Sequence, residues 1–113
     1  MAVINLLAIV GPTAVGKTAL AIALAERLNG ELVSADAVAV YRGLDIGSAK
    51  PDASERARAR FHLIDVVDPA EDFSVANFAR LAEEAFADIR SRGKLPILVG
   101  GTGLYVRAVT ATL

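Results

Sequence analysis

The segment Gly11-Pro12-Thr13-Ala14-Val15-Gly16-Lys17-Thr18 constrains this chain more than any other. It matches G-x-x-x-x-G-K-[ST] in full, the pattern of a phosphate-binding loop. Its surroundings match as well. An apolar run at residues 3–10 precedes it, and a run of helix formers follows at once. Such a loop works only between the end of a strand and the start of a helix. Gly11 and Gly16 let the backbone curl so that several N–H groups point inward. The helix beginning near Gly16 adds its unpaired amides and the positive end of its dipole. Lys17 supplies a mobile positive charge for the outer phosphate oxygens, and Thr18 offers a hydroxyl to Mg2+.

The rest of the chain repeats the alternation. Thr18 to Leu28 reads as a helix, with Leu20, Leu24 and Leu28 as a stripe for packing on a sheet. Asn29-Gly30 ends it, with Gly30 as the expected left-handed cap. Glu31 to Ser34 reads as the next strand, and Asp36 lies just past its end. Residues 37–53 fit strand or loop, punctuated by Gly43, Gly47 and Pro51. Ala53 to Arg60 is a short helix candidate, and Phe61 to Val67 an apolar strand or extended segment broken by Asp68-Pro69. Ser74 suits an N-cap for a helix over 75–91 that buries Val75, Phe78, Ala82, Ala85, Phe86 and Ile89. Gly93 stops it. Lys94 to Val99 forms another strand with Pro96 near its start, and Gly100-Gly101-Thr102-Gly103 leads into a last helix. Apolar strands in alternation with helices point to an α/β fold: a P-loop NTPase-like, three-layer domain around a parallel sheet.

Several side chains are candidates for chemistry. Functional groups in open parallel sheets gather at the carboxyl ends of strands, which puts Asp36 within reach of a group held by Lys17 and Thr18. It suits a general base or a magnesium ligand, and the competing role is an Asx turn. Asp65, in Leu63-Ile64-Asp65-Val66, is a second candidate for the acidic partner of a phosphate loop. Gly100-Gly101-Thr102 could bind a phosphate, a ribose or a base edge, or serve as a plain turn with Thr102 as N-cap. His62 has no partners at metal-ligand spacing, so a structural role is favoured over catalysis. Tyr41 and Arg42 could line an acceptor site or a solvated turn. Arg56, Arg58 and Arg60, then Arg90, Arg92 and Lys94, form two basic clusters that read as solvated helix ends.

Composition narrows the classes further. With no cysteine, disulfides, thiolate metal sites and cysteine nucleophiles are excluded. Twelve Lys+Arg against 13 Asp+Glu give a net charge of -1 and no global attraction to nucleic acid or acidic lipid. The apolar N-terminus is half a membrane span long and lacks a basic flank, so a buried strand is expected, with no membrane association and a cytoplasmic location. The 113 residues suit one domain, a P-loop α/β core. They end inside an apolar, helix-like stretch, Leu104 to Leu113, as expected of the first part of a longer protein.

The order and spacing of these segments resemble one family, the tRNA dimethylallyltransferases, also called tRNA isopentenyltransferases. The matching residues are Gly11–Thr18, Ser34-Ala35-Asp36, Val40–Pro51, His62-Leu63-Ile64-Asp65, Asp68-Pro69, Phe73–Ala76 and Pro96–Tyr105. The resemblance implies transfer of a dimethylallyl group from dimethylallyl diphosphate to N6 of adenosine 37 in tRNA. In it, Gly11, Pro12, Thr13, Ala14, Val15, Gly16, Lys17 and Thr18 grip the diphosphate. Lys17 and the loop amides stabilise the departing pyrophosphate, Thr18 holds magnesium, and Asp36 is the general base. Thr13 and Thr102 lie near the reacting centre, and Thr102 meets the flipped base or its sugar. The stretch Asp36, Ala37, Val38 and Ala39 touches the tRNA, although the family often has Ser and Gln where this chain has Ala37 and Ala39. The tRNA-gripping insertion of that family has no counterpart in these residues, so the chain by itself is expected to be weakly active or inactive. Three other readings share the loop: a small-molecule or nucleotide kinase using ATP, a prenyltransferase acting on free adenylate nucleotides, and a non-catalytic nucleotide-binding domain.

Overall fold

The computed structural model describes residues 6–10, 16–36, 39–43 and 50–100. Its elements are β1 (Leu7–Val10), α1 (Lys17–Leu28), β2 (Gly30–Ala35), α2 (Ala53–Arg58), β3 (Phe61–His62), α3 (Val75–Ser91) and β4 (Leu95–Gly100). The strands form one sheet in the order β1-β4-β2-β3, parallel at every pairing. The expected last helix lies outside the described residues.

The apolar strands alternate between two cores. Leu32 and Ile97 pack with Ala21, Ile22 and Ala25 of α1. Val33, Ala35 and Leu98 pack with Phe78, Ala82, Ala85, Phe86 and Ile89 of α3. Successive strand residues face opposite layers, so a strand covered on both sides is apolar throughout. This is the expected three-layer arrangement. Among the described residues, no helix is long and apolar enough to cross a membrane.

α3 follows its sequence pattern. Ser74 accepts a hydrogen bond from the Asn77 amide at 3.1 Å, and Gly93, at φ 74°, ends the turn beyond the helix. α2 begins with a reciprocal capping box between Asp52 and Glu55 and stops at Arg58, short of the expected Arg60. Pro96 is buried, yet tolerated in β4. Pairing with β1 begins only at Ile97, and the neighbouring Leu95 amide already bonds Asn29 on the β2 side.

Three expectations are corrected. Of the Leu20-Leu24-Leu28 stripe only Leu24 packs against the core, since Leu20 is 52% and Leu28 47% exposed. Positions four apart drift by about 40° per helical turn, and Ala21, Ile22 and Ala25 make the closer fit. The left-handed cap is Asn29, at φ 55°, and Gly30 already belongs to β2. Glycine is required at position 30 by close approach: a Cβ there would lie 2.7 Å from the Leu95 carbonyl oxygen. The run Phe61–Val67 is a strand only at Phe61–His62, because Leu63 and Asp65 take positive φ and turn the chain off the sheet.

Glu31 is the buried charge of the core, 4% exposed. Its carboxylate accepts two hydrogen bonds from the Arg92 guanidinium and lies 2.7 Å from His62 Nε2, with Arg60 Nε at 3.8 Å. Asp88 holds the other side of Arg92. This cluster ties the starts of β2 and β3 to the end of α3, and it gives His62 the structural role expected of it. The basic clusters are thus largely paired: Arg58 meets Glu26 of α1 at 2.6 Å, and Lys94 donates to Asn29.

Two outcomes follow from the packing. Gly30→Ala is expected to lower unfolding free energy by about 1–3 kcal/mol, measured by urea denaturation. The Arg92 hydrogen bonds, opposed by burial and aided by His62, hold the Glu31 carboxyl down at about 2 from an ordinary 4.5. A depressed carboxyl stabilises the fold above its unfolded value and loses that contribution as pH falls toward the folded value. The stability difference between wild type and Glu31→Gln should therefore shrink as pH drops from about 4.5 to about 2. A difference that stays constant across that window would contradict the assignment.

Candidate active site

The register of the sheet places the site. Val10 pairs with Gly100, and Gly100 pairs with Ala35, so the carboxyl ends of β1, β4 and β2 stand level. Each of these ends leads into a candidate segment. β1 runs toward the glycine loop, β4 ends at Gly100 ahead of Gly101 and Thr102, and β2 delivers Asp36. Neighbouring strands lie about 4.8 Å apart, so β1 and β2, with β4 between them, are separated by roughly 10 Å.

Of the expected phosphate loop, Gly16, Lys17 and Thr18 are described, while Gly11, Pro12, Thr13, Ala14 and Val15 lie outside the described residues. Gly16 adopts φ 101°, a left-handed conformation that glycine enters without steric cost. It stands as N-cap of α1 with no side-chain cap among the described residues and no acidic residue in the first turn. Lys17 and Thr18 are the first two helical residues, both half-buried. A helix start without a carboxylate or hydroxyl cap leaves its amides and dipole available to an anion.

Asp36 follows β2 directly and is half-buried. Its Oδ1 accepts a hydrogen bond from the Ala39 amide at 2.9 Å. The turn that competed with function in the sequence is therefore present, and it also fixes the direction of the carboxylate. Ala37, Val38 and Thr102 lie outside the described residues. Ala39 does not fit the expected contact with tRNA: it is 1% exposed, its N–H is given to Asp36, and its carbonyl accepts from the Asp65 amide at 3.0 Å. It supports Asp36 from beneath and offers no surface.

Asp65 is not placed to serve the phosphate loop. It follows β3, three strand spacings or roughly 14 Å from β1. Its carboxylate is held by Lys50 at 2.5 Å and Arg56 at 3.3 Å, and the Lys50 hydrogen bond lowers its pKa. Asp68 acts locally, accepting the Ala70 amide. Tyr41 packs edge-on against Phe73, with ring centroids 6.3 Å apart, whereas Arg42 is exposed. Lys50 was not singled out in the sequence. One lysine in a loop carries no periodic signal, and its burial arises from contacts with Tyr41 and Asp65.

Comparison with known proteins agrees with this layout. A family model described as IPP transferase matches residues 39–113, and a second, isopentenyl transferase, matches residues 4–71. The chain belongs to the IPP transferase family. Among relatives of this IPP transferase chain, a tRNA dimethylallyltransferase of Halorhodospira halophila is 64% identical over 91% of the chain and 33% of its own length. The crystal structure of a full-length tRNA isopentenylpyrophosphate transferase from Bacillus halodurans superposes with a TM-score of 0.90 at 56% identity, over 98% of this chain and 37% of that one. A eukaryotic dimethylallyltransferase captured acting on tRNA gives 0.84 at 36% identity, over 92% of this chain and 26% of that one. The chain thus spans about a third of the length of the curated relatives it matches.

The left-handed Gly16 yields a direct test. A Cβ there meets no atom of the described residues within 4 Å, so backbone strain is the expected effect of Gly16→Ala. The expected cost is about 1–2 kcal/mol in urea denaturation.

Proposed function

We propose that this chain forms the diphosphate-binding part of a tRNA dimethylallyltransferase. The observation that carries the reading is the level alignment of β1, β4 and β2, with Lys17 and Thr18 at one side and a turn-oriented Asp36 at the other. Family membership supports prenyl transfer to tRNA, and in this reading the donor is dimethylallyl diphosphate and the acceptor the exocyclic N6 of adenosine 37.

In this mechanism the loop Gly11–Thr18 holds the diphosphate through its amides and Lys17. The bond between the dimethylallyl carbon and the diphosphate oxygen breaks as a bond from N6 to that carbon forms. Asp36 accepts the proton released from N6, and pyrophosphate leaves with the electron pair of the broken bond. Lys17 and the first amides of α1 stabilise the negative charge that grows on the leaving group. The family resemblance assigns Thr13 and Thr102 to the reacting centre and Thr102, Ala37 and Val38 to recognition of the extruded base.

Magnesium suits the donor set. The half-buried Thr18 hydroxyl opens the helix beside Lys17, and Mg2+ characteristically takes few protein oxygens together with phosphates and water. When bound through Thr18, it would neutralise charge on the diphosphate.

Isothermal titration with dimethylallyl diphosphate and with ATP, each with magnesium, tests the ligand. Preference for the prenyl diphosphate is expected, and tight ATP binding without it would replace this reading with a kinase. Asp36→Asn, assayed for prenyl transfer to an anticodon stem-loop in the full-length polypeptide, should retain diphosphate binding and lose about 10²–10⁴-fold in rate. Undiminished transfer would remove Asp36 from the mechanism.

A further inference from the structure

Lys50 is held in an unusual setting for a lysine. Its side chain is 9% exposed, and its ammonium donates to the Tyr41 carbonyl at 2.9 Å and to Asp65 Oδ1 at 2.5 Å. A buried ammonium costs free energy unless it is fully partnered, so its contribution to stability alone is a weak reason for its presence. Asp65, its partner, sits at φ 58°, and Leu63 two residues earlier at φ 67°. Left-handed backbone at two non-glycine residues is strain, and strain of this kind is held in place by surrounding bonds.

Those bonds run in one direction. The Asp65 amide donates to the Ala39 carbonyl at 3.0 Å, and the Ala39 amide donates to Asp36 Oδ1 at 2.9 Å. The Val66 and Val67 amides both donate to the Val40 carbonyl, and the Arg42 amide donates to the Val67 carbonyl at 2.8 Å. Ala39, Val40 and Val67 are each 2% exposed or less. The strained loop at 63–67 and the turn after Asp36 are therefore one bonded unit. Lys50 closes it by gripping Asp65 on one loop and Tyr41 on the other. Arg56 reaches the second Asp65 oxygen at 3.3 Å from the solvent side.

We infer that Lys50 and Asp65 are positioning residues for the candidate base: their ion pair locks the 39–41 turn whose amide at Ala39 aims the Asp36 carboxylate. In this role both act through the bonded loops rather than on the reacting atoms. The inference rests on Asp36 acting as the general base. Rigid placement matters for such a group, because a displacement near 1 Å of a reacting atom costs about 10²-fold in rate.

The test uses the full-length polypeptide, with prenyl transfer to an anticodon stem-loop and amide hydrogen exchange as readouts. Lys50→Met should lower kcat about 10- to 100-fold and leave KM for dimethylallyl diphosphate within about 2-fold, because the Lys50 bonds to Tyr41 and Asp65 lie on the loops after β2 and β3 rather than at Lys17 and Thr18. Exchange at the Ala39 amide should rise at least about 10-fold while the β4 amides keep their protection. Asp65→Gly removes the carboxylate yet accepts the left-handed backbone, so it should repeat the kcat loss even where Lys50→Met folds poorly. Asp65→Asn keeps an acceptor for Lys50 and tolerates the same backbone, and should stay within about 5-fold of wild type. In an Asp36→Asn background, Lys50→Met should add no further loss. Wild-type kcat in both Lys50→Met and Asp65→Gly overturns the inference, as does a full additional loss in the Asp36→Asn background. Wild-type transfer by Asp36→Asn itself would instead overturn the underlying assignment of the base.

Discussion

The structure depends on parallel strands, three of which, β1, β4 and β2, end level. Parallel strands must be covered on both faces, so their residues are apolar on both sides and leave no strand face for polar function. Chemistry is pushed to the strand ends. With Val10, Gly100 and Ala35 in register, the carboxyl edge becomes a row of chain exits within a few strand spacings. Glycine at position 30 belongs to the same constraint, because β2 and β4 approach too closely there for a side chain.

The two edges of the sheet divide the charged groups between them. At the amino edge, Glu31 binds Arg92 and stands against His62, fastening β2 and β3 to α3. That carboxylate is enclosed by its partners and belongs to the framework. At the carboxyl edge, Asp36 is half-buried and accepts a hydrogen bond from the Ala39 amide. Between the two lies β2, six residues long, with a structural carboxylate near its start and a candidate catalytic one just past its end. The loops after β2 and β3 then bond to each other through Ala39, Val40 and Val67, so the setting of Asp36 is shared by two chain exits.

The local pattern made much of this legible. Ser74 marked the start of α3, its apolar face appeared residue by residue, and the continuous apolar runs announced a doubly covered sheet. Asp36 could be found because a carboxylate directly after an apolar strand has a defined place in such folds. Asn29 and Gly30 were harder. Both residue types tolerate left-handed backbone, and which of them takes it depends on how closely β4 approaches. Phe61–Val67 looked like a strand by composition, but its β pairing stops after two residues where Leu63 and Asp65 turn away.

The sequence by itself determined the alternation of strands and helices, the N-cap of α3 and the phosphate-loop signature, because these rest on periodicity and on interactions within a few residues. Only the tertiary structure decided the strand order, the pairing of Glu31 with Arg92 and the linkage of Lys50, Asp65, Ala39 and Asp36. Such contacts join residues far apart along the chain. Whether a lone Glu or Lys is solvated or enclosed is settled by which segments the sheet brings beside it, and no short-range pattern carries that information.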